Sequence, residues 1–166
     1  MTEVRVGLYP GSFDPPTFGH LNLLERASTL FDEVIVGVLI NPNKQPMFKP
    51  AERVEMMRQV VSHLKSVRVM SFEGLLVDFA RDNGVSAVIR GLRAVSDFEY
   101  EFQMAMMNRK LEPMVDTVFL MTEPDVFYIS SRLVREVAFL GGDVSHAVPE
   151  VVLRRLEARF STKSKD

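Results

Sequence analysis

The run from Gly11 to His20, GSFDPPTFGH, gathers backbone donors, a hydroxyl, a carboxylate and an imidazole into one short stretch. Gly11, Ser12 and Phe13 follow an apolar run, where N–H groups and a hydroxyl can face a phosphate. Pro15 and Pro16 stiffen the turn by holding φ at about −65°. Gly19 lets the backbone approach a ligand, and His20 falls in the first turn of a helix. Free N–H groups and the positive end of the helix dipole favour anions there. The same field lowers a histidine's pKa, so a neutral donor imidazole is as open to His20 as a cation. The alternative is structural: His20 caps its helix or packs on the face that carries Phe31.

Cations follow further along the chain. Lys44 is the only one in NPNKQPMF, held between Pro42 and Pro46, and reads either as a solvated loop lysine or as an anion contact. VIRGLRAVSDFEYE places Arg90 at a strand end, Gly91 at a sharp turn and Arg93 three residues on. Guanidinium is the natural partner of phosphate because it forks and stays charged. In a chain of net charge −2, this pair points to a bound anion rather than to solubility. A helix starting at Ser130-Ser131 offers further free N–H groups to a polyphosphate.

These groups need elements to position them. Mostly apolar runs at residues 4–9, 33–40, 67–71, 87–90 and 117–121 predict strands buried on both faces. Between them, His20, Leu24, Ala27 and Phe31 share one helical face, as do Val54, Met57, Val61 and Leu64 in a helix opened by Pro50. Further helices are predicted over residues 75–83, with Gly84 as a left-handed cap, 96–111, 130–140, stopped by Gly141-Gly142, and 149–159. This alternation predicts an α/β, Rossmann-like single domain with a five-stranded parallel sheet, right-handed crossovers and helices on both faces. The domain is placed at residues 1–160, with STKSKD, residues 161–166, as a polar, frayed tail. Ligands of such a sheet bind beyond the carboxyl ends of its strands. The loops to read are therefore those after Tyr9, Ile40, Ser71, Arg90 and Met121.

Composition narrows the field. The chain has 166 residues, enough for one domain with a substantial core. With no Cys, disulfides and thiolate metal sites are excluded, and a reducing cytoplasm suits the chain. The net charge argues against a broad nucleic-acid face. No apolar run approaches the roughly 20 residues of a membrane span. The N-terminus opens on the strand pattern VRVGLY rather than on a signal peptide. The expectation is a cytoplasmic globular protein with neither nucleic acid nor membrane as partner.

The segment TFGH after YPGSFDP resembles the T/HxGH signature of the nucleotidyltransferase superfamily. With RGLRAVSDFEYE and NPNKQPMF, the chain is similar to bacterial phosphopantetheine adenylyltransferases, from Val6 to about Val148, including MNRKLEP, VFLM, ISS and GGDVS. The resemblance implies synthesis of dephospho-CoA and pyrophosphate from 4′-phosphopantetheine and MgATP, by a homohexamer. It implies that Thr17 and His20 bracket the α-phosphate, with His20 stabilising the transition state and Phe13 nearby through its backbone. Ser12 and Lys44 would contact phosphopantetheine, Arg90 its phosphate and Leu76 its pantetheine arm. Gly91, Leu92, Arg93 and Glu101 would hold ATP, together with Ser12, Phe13, Thr17 and His20. Val126, Phe127, Tyr128, Ile129, Ser130, Ser131 and Arg132 would bracket the adenine and the terminal phosphates. Mg²⁺ would arrive on ATP, with no metal held by side chains. Val126 stands where many members carry an aromatic residue, Arg132 where they carry a third Ser, and Arg135 at the basic position of the wider ISSTxxR pattern.

The chemistry implied is in-line attack by a phosphate already nucleophilic near neutral pH. It needs no general base or covalent intermediate, only alignment of two polyanions and stabilisation of charge. Other features read as structural. Met104, Met106 and Met107 spread around one helix, as for burial on several sides in a core or subunit contact. His63 and His146 lack metal-ligand spacing, and Asp14 is expected to bind an amide of its own loop. The competing readings are a related transferase acting on nicotinamide mononucleotide or a polyol phosphate, and a non-catalytic ATP-binding module of the universal-stress type. The module leaves His20, Lys44 and the Arg90–Arg93 pair unexplained.

Overall fold

The computed structural model describes residues 4–161. The chain runs β1 (Val6–Gly11), α1 (Phe18–Leu30), β2 (Glu33–Leu39), α2 (Pro50–Val60), β3 (Val67–Phe72), α3 (Leu76–Asp82), β4 (Ala87–Leu92), α4 (Val95–Leu111), β5 (Asp116–Met121), α5 (Ser131–Phe139) and α6 (Glu150–Ser161). The five strands form one sheet in the order β3-β2-β1-β4-β5, and every pairing is parallel. Winding starts at β1, moves outward to β3, then returns to β4 on the other side of β1. That reversal puts the switch point between β1 and β4, where such sheets bind ligands.

Register opens the crevice. β1 pairs with β2 along its whole length, yet with β4 only at Gly7↔Ala87 and Leu8↔Val88. Beyond Leu8 the two central strands part, and the Pro10 carbonyl, facing β4, accepts from Arg90 NH1 at 3.1 Å instead. A proline is tolerated here because its missing N–H falls where no ladder bond exists. β1 thus continues to Gly11, two residues past the end expected from the apolar run.

Side chains alternate between two cores, as strands covered on both faces require. Val34, Val36, Val38 and Ile89 pack with residues of α1, α2, α5 and α6. Leu8, Ile35 and Val88 pack on the opposite face with Ala80 and Phe79 of α3. Gly84, at φ +64°, ends α3 as the expected left-handed cap.

Three expectations are corrected. Gly91 is no turn: β4 continues through it to Leu92, pairing Gly91 with Leu120. A Cβ on Gly91 would stand 2.4 Å from Leu23 Cδ1 of α1, so close packing is what the glycine serves. No residue of α4 is buried, so Met104, Met106 and Met107 are not part of this chain's core. The α2 pattern overran its helix: Val61 and Leu64 lie in the turn beyond Val60, while Arg53 joins Met56, Met57 and Val60 on the buried side. Ser161 closes α6, and the rest of the expected tail, residues 162–166, lies outside the described residues. Among the described residues no helix is long and apolar enough to cross a membrane.

Candidate active site

α1 begins at a reciprocal cap. Thr17 Oγ1 accepts from the His20 N–H at 3.4 Å, and His20 Nδ1 accepts from the Thr17 N–H at 3.0 Å. With Nδ1 an acceptor, the neutral ring carries its proton on Nε2. Burial pushes the His20 pKa down to about 4, helped by the positive charges of Arg93 and Arg90. At neutral pH the ring is therefore an uncharged donor. Thr17 is fully buried and its hydroxyl is engaged by the cap, so it positions His20 at the cavity wall. The structural and chemical readings of His20 coexist, one on each ring nitrogen.

The loop before α1 is held against the ring. Phe13 adopts φ +48°, a left-handed conformation that costs a residue with a side chain of order 1–3 kcal/mol. Its buried ring stands edge-on to His20, centroids 4.9 Å apart, and to Tyr9 at 5.4 Å. A Cβ on Gly11 would come within 2.9 Å of Phe13 Cζ, so glycine is required beside that ring.

A clamp unseen in the sequence ties this loop to the one bearing Lys44. The Asp14 carboxylate accepts from the N–H groups of Met47 and Phe48, both at 2.8 Å, rather than from an amide of its own loop. Arg53, 3% exposed, donates to the carbonyls of Ser12 (2.5 Å), Leu39 (3.1 Å) and Phe48 (3.2 Å). Arg135 of α5 donates to the Asp14 carbonyl from the other side. An arginine inside the first turns of a helix ordinarily reads as a solvated residue, so no sequence signal marked Arg53.

Arg90 forks onto Glu101 of α4, Nε to Oε2 at 2.8 Å and NH2 to Oε1 at 2.6 Å. Arg93 lies 3.4 Å from Asp97 Oδ2. Two cavities meet at this point. One, of about 320 Å³, lies toward α1 and α5 and is lined by Tyr9, Phe13, His20, Arg93, Asp97 and Ser131 among others. The other, of about 510 Å³, lies toward α3 and α4 and takes in Leu76, Phe72, Tyr100, Met104, Asn108 and Lys44. Pro10, Gly11, Ser12, Arg90 and Glu101 wall both. Lys44 forms no ion pair among the described residues.

The structure thus brings together Ser12, Phe13, Thr17, His20, Arg90, Gly91, Arg93, Glu101, Val126, Ile129, Ser130 and Ser131 around the first cavity, and Ser12, Lys44, Leu76 and Arg90 around the second. Ser130 caps α5 by accepting from the Leu133 N–H at 3.1 Å, and the Ser131 hydroxyl donates to the Pro15 carbonyl at 2.7 Å. What α5 offers a ligand is therefore its free N–H groups rather than these hydroxyls. Four expected residues do not line the first cavity. Leu92 is buried in β4, and Phe127 and Tyr128 are exposed, Tyr128 stacking on His146. Arg132 turns outward to Glu136 at 3.0 Å. Among the described residues no cluster of His, Cys, Asp and Glu could hold a metal ion.

The arrangement suits two anions brought phosphate to phosphate across the β1–β4 gap. The chain matches the cytidylyltransferase-like family model over residues 8–137. It is 58% identical over 157 residues to the phosphopantetheine adenylyltransferase of Heliobacterium modesticaldum, covering 95% of this chain and 94% of that one. Against the protein of the same description from Synechococcus sp. (strain RCC307), identity is 59% over 152 residues, 90% of this chain and 92% of the other. Among solved structures, a candidate nicotinate-nucleotide adenylyltransferase from Vibrio parahaemolyticus shares the fold, with TM-score 0.69 at 17% identity over 94% of this chain and 93% of its own. So does a lipopolysaccharide core biosynthesis protein from Thermoplasma volcanium, with TM-score 0.55 at 21% identity over 73% of this chain and 99% of its own.

Proposed function

The chain belongs to the cytidylyltransferase-like family, among the phosphopantetheine adenylyltransferases, and we infer that it transfers an adenylyl group from ATP to 4′-phosphopantetheine, giving dephospho-CoA and pyrophosphate. The observation that carries the reading is the pair of cavities sharing one wall at Ser12, Arg90 and Glu101. The more polar one suits a nucleotide. The other, lined by Leu76, Phe72 and Met104, suits an amide-linked arm ending in a phosphate.

The chemistry is in-line displacement at the α-phosphorus: an acceptor phosphate oxygen forms the new P–O bond as the bond to pyrophosphate breaks. Ser12, Lys44 and the Arg90 N–H groups left over from Glu101 hold the acceptor phosphate. Arg93, with the first-turn N–H groups of α5, holds the phosphate chain of ATP. His20 donates Nε2–H to the α-phosphate oxygen on which charge grows. A neutral donor suits that task, since it strengthens as charge develops without drawing in a competing anion. Glu101 borders the nucleotide cavity and orients Arg90 toward the acceptor phosphate. Val126 and Ile129 border the space left for the base. Mg²⁺ belongs to the proposal as a companion of ATP: it takes few protein carboxylates, keeps its own waters and offsets phosphate charge. A homohexamer is also proposed, supported by the exposed Phe98, Tyr100, Phe102, Met106 and Met107 of α4. A cytoplasmic setting, where ATP is at hand, completes it.

A substrate panel read by pyrophosphate release tests the reading. Phosphopantetheine should support release from ATP and nicotinamide mononucleotide should not. Comparable turnover with both, or turnover with the mononucleotide alone, overturns it.

A further inference from the structure

Tyr9 is near the carboxyl end of β1, 6% exposed, its ring 5.4 Å from that of Phe13 and 6.3 Å from that of His20. Its side chain lines the nucleotide cavity, yet among the described residues its hydroxyl has no hydrogen-bond partner. The only buried side-chain polar atom there that is both sealed off and unpartnered is Asn22 Oδ1, so the phenol oxygen keeps access to the cavity. A buried phenol normally finds a partner, because its desolvation is otherwise uncompensated. Packing against Phe13 and His20 needs only the ring, which phenylalanine supplies. The hydroxyl is therefore kept for something that enters.

What enters is set by the surroundings. Burial raises the Tyr9 pKa above its ordinary value, against a smaller opposing pull from Arg90 and Arg93, so the group is a donor at neutral pH. The neighbours facing it are donors too: His20 Nε2–H and the two guanidinium groups. The nearby carboxylates, Glu101 and Asp97, are engaged by those arginines. A space ringed by donors takes an acceptor-rich anion.

We propose that the Tyr9 hydroxyl contacts substrate, donating a hydrogen bond to an oxygen of the phosphate chain beside His20 and Arg93. This rests on the reading of the first cavity as the nucleotide site. The test is Tyr9→Phe in the full chain, which removes one oxygen and leaves the ring. Tripolyphosphate affinity by calorimetry and kcat/KM for ATP should each fall by about 10–100-fold, the range for a hydrogen bond to a charged group. Adenosine affinity and Tm should hold, since no protein contact is lost. Unchanged tripolyphosphate affinity overturns the proposal. So does a loss confined to adenosine, which would put the hydroxyl on the nucleoside, or a drop in Tm accounting for the lost activity. If the parent releases no pyrophosphate from ATP and phosphopantetheine, the adenylyl-transfer reading fails while the tripolyphosphate measurement still decides Tyr9.

Discussion

Replacing His20 with alanine removes two things at once, and each has its own readout. The cap loses the acceptor for the Thr17 N–H, which stands 3.0 Å from Nδ1. A lost cap costs about 1 kcal/mol of stability. The cavity loses the Nε2–H donor, and a missing transition-state donor lowers kcat by roughly 10²–10³-fold, about 3–4 kcal/mol, with little change in ATP affinity. The proton adds a third signature. In the folded chain the His20 pKa lies at about 4 rather than at 6.5, because burial disfavours the charged ring and Arg93 and Arg90 repel it. As pH falls below 6.5 the unfolded chain takes up a proton that the folded one refuses, so stability drops progressively until about pH 4. A shift of that size corresponds to at most about 3 kcal/mol. Chemical denaturation across this pH range should give a flatter stability profile for His20→Ala than for the parent, while kcat and ATP affinity are measured at about pH 7.5. A variant that keeps turnover within a few-fold of the parent refutes the donor role. Parallel stability profiles refute the buried neutral imidazole.

Arg90→Ala should weaken phosphopantetheine binding more than ATP binding and Arg93→Ala the reverse, each by about 2–5 kcal/mol; equal losses for both ligands in both variants would erase the distinction. Gly91→Ala should destabilise by about 1–3 kcal/mol, because buried Leu23 must move from a Cβ 2.4 Å away; an unchanged denaturation midpoint contradicts the close packing. Light scattering should give a mass of about six chains, in line with closed symmetry in homo-oligomers, and a monodisperse monomer removes the proposed use of the apolar α4 surface.

The sheet was legible because strands buried on both faces write themselves as apolar runs, and β2, β3 and β5 fell within a residue of their predicted ends. β1 and β4 each run two residues past their predicted ends for a reason outside local pattern. Pro10 and Gly91 are breakers by propensity, but each sits where tertiary geometry suspends the rule, one facing an unpaired crevice and the other under Leu23. In the candidate site, the glycine- and arginine-bearing loops were readable from residue type and position after a strand. Arg53 and the true partners of Asp14 were not. The Asp14 bonds and the Arg53 bond to Ser12 cross more than thirty positions of chain, and all of them go to backbone groups, which have no residue type to betray them. Phe127, Tyr128 and Arg132 stand off the first cavity for a different reason: adjacency to Ser130 in sequence does not set which way a side chain turns from a helix start.

The Arg53 clamp also bears on how the crevice comes into being. Its three acceptors belong to the ends of β1 and β2 and to the approach to α2, and its own backbone to α2 itself. The bonds to Ser12 and Leu39 cannot close until α2 has docked on the ends of β1 and β2, so a chain with only part of its sheet assembled has no crevice to offer. Occupancy is then linked to global rather than local unfolding. A ligand bound there at a hundred times its Kd should add about 2.7 kcal/mol to the whole fold, and slow amide exchange in β2 as much as beside the ligand.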